Sequence, residues 1–124
     1  MRRDMELIRK MLIAIEDNSA GWAPDPFKIE GYSDDTIAYH AYLLVDAGLA
    51  KGTDVTSTMS NAPEYVIQTL TWAGHEFCQA AREDTRWKKA MGMIAEKGGA
   101  ITFEVLKELL VSLMRTALGL GASC

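Results

Sequence analysis

The sequence predicts a mostly α (α+β) fold in which helices surround one two-stranded hairpin. Three observations predict it. Residues 33–51 carry both ends of a helix and then run into an extended stretch. Tyr65, Ile67 and Thr69 alternate with Val66, Gln68 and Leu70, the period of a strand. Apolar residues recur at helical spacing near both ends of the chain.

Taken in order, residues 4–17 form the first helix, with Asp4 as its cap. Met5, Ile8, Met11, Leu12 and Ile15 give one apolar stripe, while Arg9, Lys10 and Glu16 are expected to face out. Asp17-Asn18-Ser19-Ala20-Gly21 is a turn cluster. Trp22 to Phe27 holds Pro24 and Pro26, each of which disfavours helix in itself and in its predecessor. Phe27-Lys28-Ile29 is expected as a short strand. Only Glu30-Gly31-Tyr32 then remain before Ser33, so the second helix of a standard helix-turn-helix is missing or cut to a turn.

Ser33 has the hydroxyl that caps a helix start, and Asp34 and Asp35 lie where the helix dipole favours negative charge. Ile37, Ala41, Leu44 and Ala47 form the expected buried stripe. Gly48 stops the helix, because glycine enters the left-handed conformation without a Cβ clash. Leu49–Val55 and Tyr65–Leu70 make the hairpin, joined by the small polar run from Thr56 to Pro63. Thr71 caps a further helix through Phe77, with Gly74 in its first turn to admit a close neighbour. Asp84-Thr85-Arg86-Trp87 restarts a helix that reaches Glu96, Gly98-Gly99 ends it, and Thr102 caps the last one, Phe103–Leu118. This divides the chain into a core, residues 1–83, and a helical extension, residues 84–124, within one domain overall.

At 124 residues, 48% apolar and 24% charged, the chain suits one soluble globular domain. Two cysteines, Cys78 and Cys124, are too few for a disulfide framework and read as free thiols. Met1 leads directly into Arg2-Arg3-Asp4 with no apolar signal core, and the apolar region 101–120 is broken by Glu104, Lys107, Glu108 and Arg115. A cytoplasmic location is expected. The net charge of −4 is unevenly placed: residues 31–74 hold one base, Lys51, against Asp34, Asp35, Asp46, Asp54 and Glu64.

Several segments taken together resemble a known family. They are Arg3 to Lys10, Gly31-Tyr32-Ser33 with Tyr39-His40, Ala47-Gly48-Leu49, Leu70 to Phe77, Asp84 to Trp87, and Gly98-Gly99 before Phe103 to Lys107. The combination is similar to small uncharacterised winged-helix-like proteins of bacteria and prophages, a domain of unknown function. The resemblance spans almost the whole chain. It implies a winged helix-turn-helix-like domain with a two-stranded β-wing and additional C-terminal helices, in a phage-related setting. It brings no activity and no catalytic residue. The Ala-Gly-Leu and Leu-Thr-x-x-Gly-His segments also resemble winged-helix transcription regulators.

Chemistry-bearing constellations are scarce. His40 and His75 lack H-x-x-x-H spacing and no C-x-x-C pair exists, so no metal site and no cofactor are expected. His40 is expected to hydrogen-bond inside the domain and His75 to pack or cap. Gly98-Gly99 lacks the lysine of a phosphate loop. No nucleophile has a recognisable base partner, and the chain is read as no enzyme.

Two binding readings follow. A recognition helix offers cationic and amide side chains to duplex DNA, but the outward positions here include Asp35, Tyr39, Tyr42 and Asp46. Acids and phenols suit a protein partner better, since tyrosine is enriched at interface hot spots and acidic flanks steer basic partners. A regulatory or adaptor module recognising a protein is therefore the favoured function. The alternative is a DNA-binding transcription regulator using Arg2, Arg3, Lys51 and Arg86. Phe103, Leu106, Leu110 and Leu113 step by three and four, and with Leu118 they are read as a homodimer interface.

Overall fold

The structure, a computed structural model, describes residues 1–120. Cys124, one of the two expected thiols, and the end of the 84–124 extension lie outside the described residues. Five helices and one antiparallel pair of strands make a mostly helical α+β structure. The order is α1 (Met5–Asp17), a 3₁₀ turn (Ser19–Gly21), α2 (Asp34–Asp46), β1 (Ala50–Asp54), β2 (Tyr65–Leu70), α3 (Trp72–Arg82), α4 (Asp84–Glu96) and α5 (Phe103–Ala117). The chain divides into two compact units, Met1–Cys78 and Gln79–Cys124.

In the first unit each helix starts on a side-chain acceptor. Asp4 accepts from the backbone N–H of Glu6 and Leu7, and Ser33 accepts from Thr36, relieving donors that have no partner within the helix. Thr71 accepts from the N–H of Gly74 at 3.0 Å and donates to the Gly48 carbonyl at 2.6 Å. That second bond ties the start of α3 to the turn that ends α2. Gly48 takes φ +76°, as the helix stop requires. At Gly74 a Cβ would overlap the Leu49 carbonyl oxygen, which also accepts the Thr71 N–H, so only glycine lets these two backbones meet.

The core of this unit is built from Leu7, Ile8, Met11, Leu12 and Ile15 of α1, Ile37, Ala41 and Leu44 of α2, and Leu49, Ala50, Ile67 and Leu70 of the hairpin. His40 lies among them with no exposed surface. Its Nε2 accepts from the Asp4 N–H at 2.8 Å, and its Nδ1 donates to the Thr36 carbonyl at 2.8 Å. These bonds define the neutral tautomer with the proton on Nδ1, and they join the cap of α1 to α2. No buried side-chain nitrogen or oxygen among the described residues is left without a partner.

Several expectations need correction. Arg9 does not face out: it is 8% exposed, with a guanidinium nitrogen 3.5 Å from Glu6. Leu7, outside the expected stripe, is fully buried. Ala47 is exposed, because it lies one residue past the end of α2 and the chain has begun to turn. Residues 27–29 form no strand; Pro24 and Pro26 supply no N–H for a ladder, and only Ala23 reaches β2, donating to the Gln68 carbonyl at 2.8 Å. No helix lies between Gly21 and Asp34, where Tyr32 closes a turn onto Ile29.

The second unit holds the last turn of α3 and the two helices α4 and α5. Glu83 caps α4 by accepting from Thr85 and Arg86, and Thr102 caps α5 by accepting from Val105. Gly98 and Gly99 end α4 at φ +102° and +81°. Trp87, Ala90 and Ile94 of α4 are buried, as are Leu106 and Leu110 of α5.

Candidate interaction surface

α2 presents two unlike sides. Ile37, His40, Ala41 and Leu44 are buried, whereas Asp35 and Asp46 are exposed and Tyr39 and Tyr42 are half-buried. The tyrosines do not stand apart. The Tyr39 and Tyr42 ring centroids lie 5.8 Å apart, and Tyr42 meets Tyr65 of β2 at 5.4 Å. Tyr39 also sets its edge against the His40 ring at 5.9 Å. The result is a row of three phenols running from helix to strand, within the range where tilted ring pairs attract.

Carboxylates border this row. Asp54, at the end of β1, is held below the usual carboxylate range by hydrogen bonds from the Thr56 side chain and backbone. Tyr65 is pushed above the usual phenol range, first by partial burial and then by the charges of Asp54, Tyr42 and Asp46. Asp34 pairs with Lys28 at 2.7 Å, with both side chains well exposed. Such a surface pair contributes little to stability.

Beside the row lies a cleft of about 480 Å³ bounded by three pieces of the first unit. One wall is the proline-bearing segment from Trp22 to Lys28, the second is Asp34, Ile37, Ala38 and Ala41 of α2, and the third is β2 from Tyr65 to Gln68. Trp22, 60% exposed, and Val66, 54% exposed, leave apolar surface at its mouth. Tyr65 belongs both to the tyrosine row and to the cleft, which makes the two features one continuous surface.

Asp35, Tyr39, Tyr42 and Asp46 thus share one helix, with the two phenols in contact. The residues expected to serve DNA are placed differently. Arg2 and Arg3 precede α1 and are exposed, as is Lys51 on β1. Arg86 is in the second unit, where it donates to the carbonyls of Ala80 and Gln79 at 2.8 and 3.2 Å and so closes the end of α3. Of the residues expected at a dimer interface, Leu106 and Leu110 of α5 have no exposed surface within the single chain, Phe103 and Leu113 are half-buried, and Leu118, just past the end of α5, is 69% exposed. His75 sets Nδ1 3.1 Å from the Glu16 carboxylate. Among the described residues no three His, Cys, Asp or Glu side chains cluster as metal ligands. None of the described helices is long and apolar enough to cross a membrane.

Sequence reasoning missed Trp22, Tyr65 and Val66 as parts of this surface. Tyr65 carried the only available signal: an aromatic opening an alternating strand, opposite a helix with outward tyrosines.

These features define a small, mostly helical α+β protein built around one hairpin. The chain belongs to the family described as hypothetical protein (DUF2513), whose model matches residues 2–100. It is similar to an uncharacterized protein of Haemophilus influenzae, 32% identical over 112 residues that span 88% of this chain and 92% of the relative. No solved structure matches the chain.

Proposed function

We propose that this chain is a non-enzymatic adaptor or regulatory module of winged-helix type, in which α2 takes the recognition-helix place and β1–β2 the wing. The outward side of α2 recognises a protein partner with a basic surface. One observation carries the reading: the row Tyr39–Tyr42–Tyr65 is bordered by Asp35, Asp46 and Asp54. Phenols offer area with a hydrogen-bonding tip, and the carboxylates attract cations and repel phosphate. Duplex DNA binding draws much of its affinity from neutralised phosphates, and Arg86, one of its four candidate cations, is engaged by backbone carbonyls. A small adaptor also fits the phage-related setting that the sequence resemblance implies. Self-association through α5 would rest on exposed Val105 and Leu118, because Leu106 and Leu110 are already covered.

Discrimination between cationic and anionic partners tests the reading. Full-length protein is titrated at low salt with random duplex DNA, alongside a variant carrying Asp35→Asn, Asp46→Asn and Asp54→Asn. The wild type is expected to show no retardation and the variant a weak gain. Salt-sensitive binding by the wild type, lost on Lys51→Ala or on removal of Arg2 and Arg3, would establish the DNA-binding regulator instead.

A further inference from the structure

The outer edge of β2 is open along the cleft. The Val55 N–H donates to the Glu64 carbonyl at 2.9 Å, which makes that pair a hydrogen-bonded one. In an antiparallel ladder hydrogen-bonded and non-hydrogen-bonded pairs alternate. Asp54 with Tyr65 and Gly52 with Ile67 are therefore non-hydrogen-bonded pairs, and the N–H and C=O of Tyr65 and the N–H of Ile67 point away from β1. Among the described residues no backbone group meets them. Only the Gln68 carbonyl, farther along, is engaged, by the Ala23 N–H. Past Ala23 the Trp22–Lys28 segment departs from the strand, and Pro24 and Pro26 offer no donors with which to follow it.

We propose that this cleft receives an extended segment of a protein partner, which pairs with β2 at Tyr65 and Ile67 and completes a three-stranded sheet. Four residues of edge, 65–68, offer roughly 10–13 Å at a strand's rise. Side chains on one side of the added strand would meet Ile37, Ala38 and Ala41, and those on the other Val66 and Trp22. Both sets are apolar, so alternate positions of the segment on either side take aliphatic or aromatic residues. Asp34 is already paired with Lys28, so Asp25 in the lining and Asp54 beside Tyr65 are the carboxylates that favour lysine or arginine at the flanks. Backbone pairing supplies the affinity and the pockets supply the choice, as in other strand-addition complexes. The inference rests on the protein-recognition reading and names the form of the partner.

The probe is a random dodecapeptide library displayed on phage and panned on the full-length protein. Enriched peptides are expected to be apolar with basic flanks. Binding of the synthesised peptide should slow amide exchange at Tyr65 and Ile67 at least tenfold. Ala38→Trp, which fills the cleft, should weaken binding at least tenfold. So should Val66→Lys, at an exposed position that leaves the core untouched. Failure to enrich any peptide above a control protein overturns the inference, as does a bound peptide that leaves both amides unprotected. A peptide whose affinity falls with Tyr42→Ala and Asp46→Lys but not with Ala38→Trp or Val66→Lys overturns the cleft and leaves the α2 reading standing. Insensitivity to all four substitutions removes both.

Discussion

α1 and α2 are both 13 residues long, and they are sorted by water in different ways. α1 puts five large apolar side chains, Leu7, Ile8, Met11, Leu12 and Ile15, into the core. Its one buried charge, Arg9, lies close to the Glu6 carboxylate. α2 buries two large aliphatics, Ile37 and Leu44, with Ala41 and a fully hydrogen-bonded His40. Its remaining surface holds phenols in tilted contact and carboxylates instead of the lysine and glutamate mixture that solubilises an ordinary helix face. Hydrophobic burial accounts for all of the buried side of α1 except Arg9. It accounts for only half of α2, and the other half is the side proposed above to meet a partner.

Substitutions can break this contrast, beginning with the largest effect. Gly74→Ala forces a methyl into the Leu49 carbonyl at the turn that closes α2, and helix and hairpin must separate to admit it. A loss of more than about 4 kcal/mol is expected in urea denaturation, among the severe class of single changes. Next comes α1: Leu12→Ala leaves a cavity in a site with no exposed surface and should cost about 3 kcal/mol. Its binding behaviour should be unaltered once the protein is folded.

His40→Phe separates the two helices' shared link. It removes the acceptor for the Asp4 N–H and the donor to Thr36 while keeping a ring in place, for an expected loss of about 2 kcal/mol. Tyr42→Ala sharpens the comparison from the other side. The residue is half-buried, so stability should change by no more than about 1 kcal/mol, while partner binding is lost. A loss as large as that of Leu12→Ala would make Tyr42 a core residue and return α2 to the pattern of α1.

The smallest effect is a titration. Tyr65, raised by partial burial and by Asp54, Tyr42 and Asp46, should ionise above an ordinary phenol in a pH-resolved NMR experiment. Tyr32, which donates to Asp4 at 3.2 Å, should do the same through burial, the Asp4 charge and hydrogen bond, and Glu6. Both phenols hold their proton more tightly when folded. Their contribution to stability is therefore complete below the unfolded phenol range and is lost as pH rises through the folded one. Asp46→Asn should lower the Tyr65 midpoint and leave Tyr32 unchanged.

Helix ends were the most legible part of the chain. Asp4, Ser33, Thr71 and Thr102 cap as their residue types demand, and Gly48 and Gly74 occupy positions where a Cβ is penalised. These are local effects, decided within one turn. Glu83 shows the limit of that reasoning: a glutamate is an uncommon cap, yet it caps α4 and is held below its usual range by the Arg86 and Thr85 amides. The surface was half legible. Asp35, Tyr39, Tyr42 and Asp46 follow from helical spacing, but the contact of Tyr42 with Tyr65 joins residues 23 positions apart and no local period reports it. Arg9 was misplaced for a related reason, since a charged side chain can be buried beside an acid three residues away without leaving a trace in the apolar stripe. The prolines make Trp22 to Phe27 read as extended and leave Phe27-Lys28-Ile29 as an expected strand, but whether the segment pairs with β2 depends on geometry that two prolines leave undetermined.

The outward side of α2 is tested most directly by placing a photo-crosslinking residue at Tyr42 and, separately, at exposed Lys10 of α1, in cells that carry the gene. A discrete protein adduct from position 42, absent from position 10 and abolished by Asp46→Lys, is the predicted result. Nucleic acid captured from position 42, or the same adducts from both helices, would contradict it.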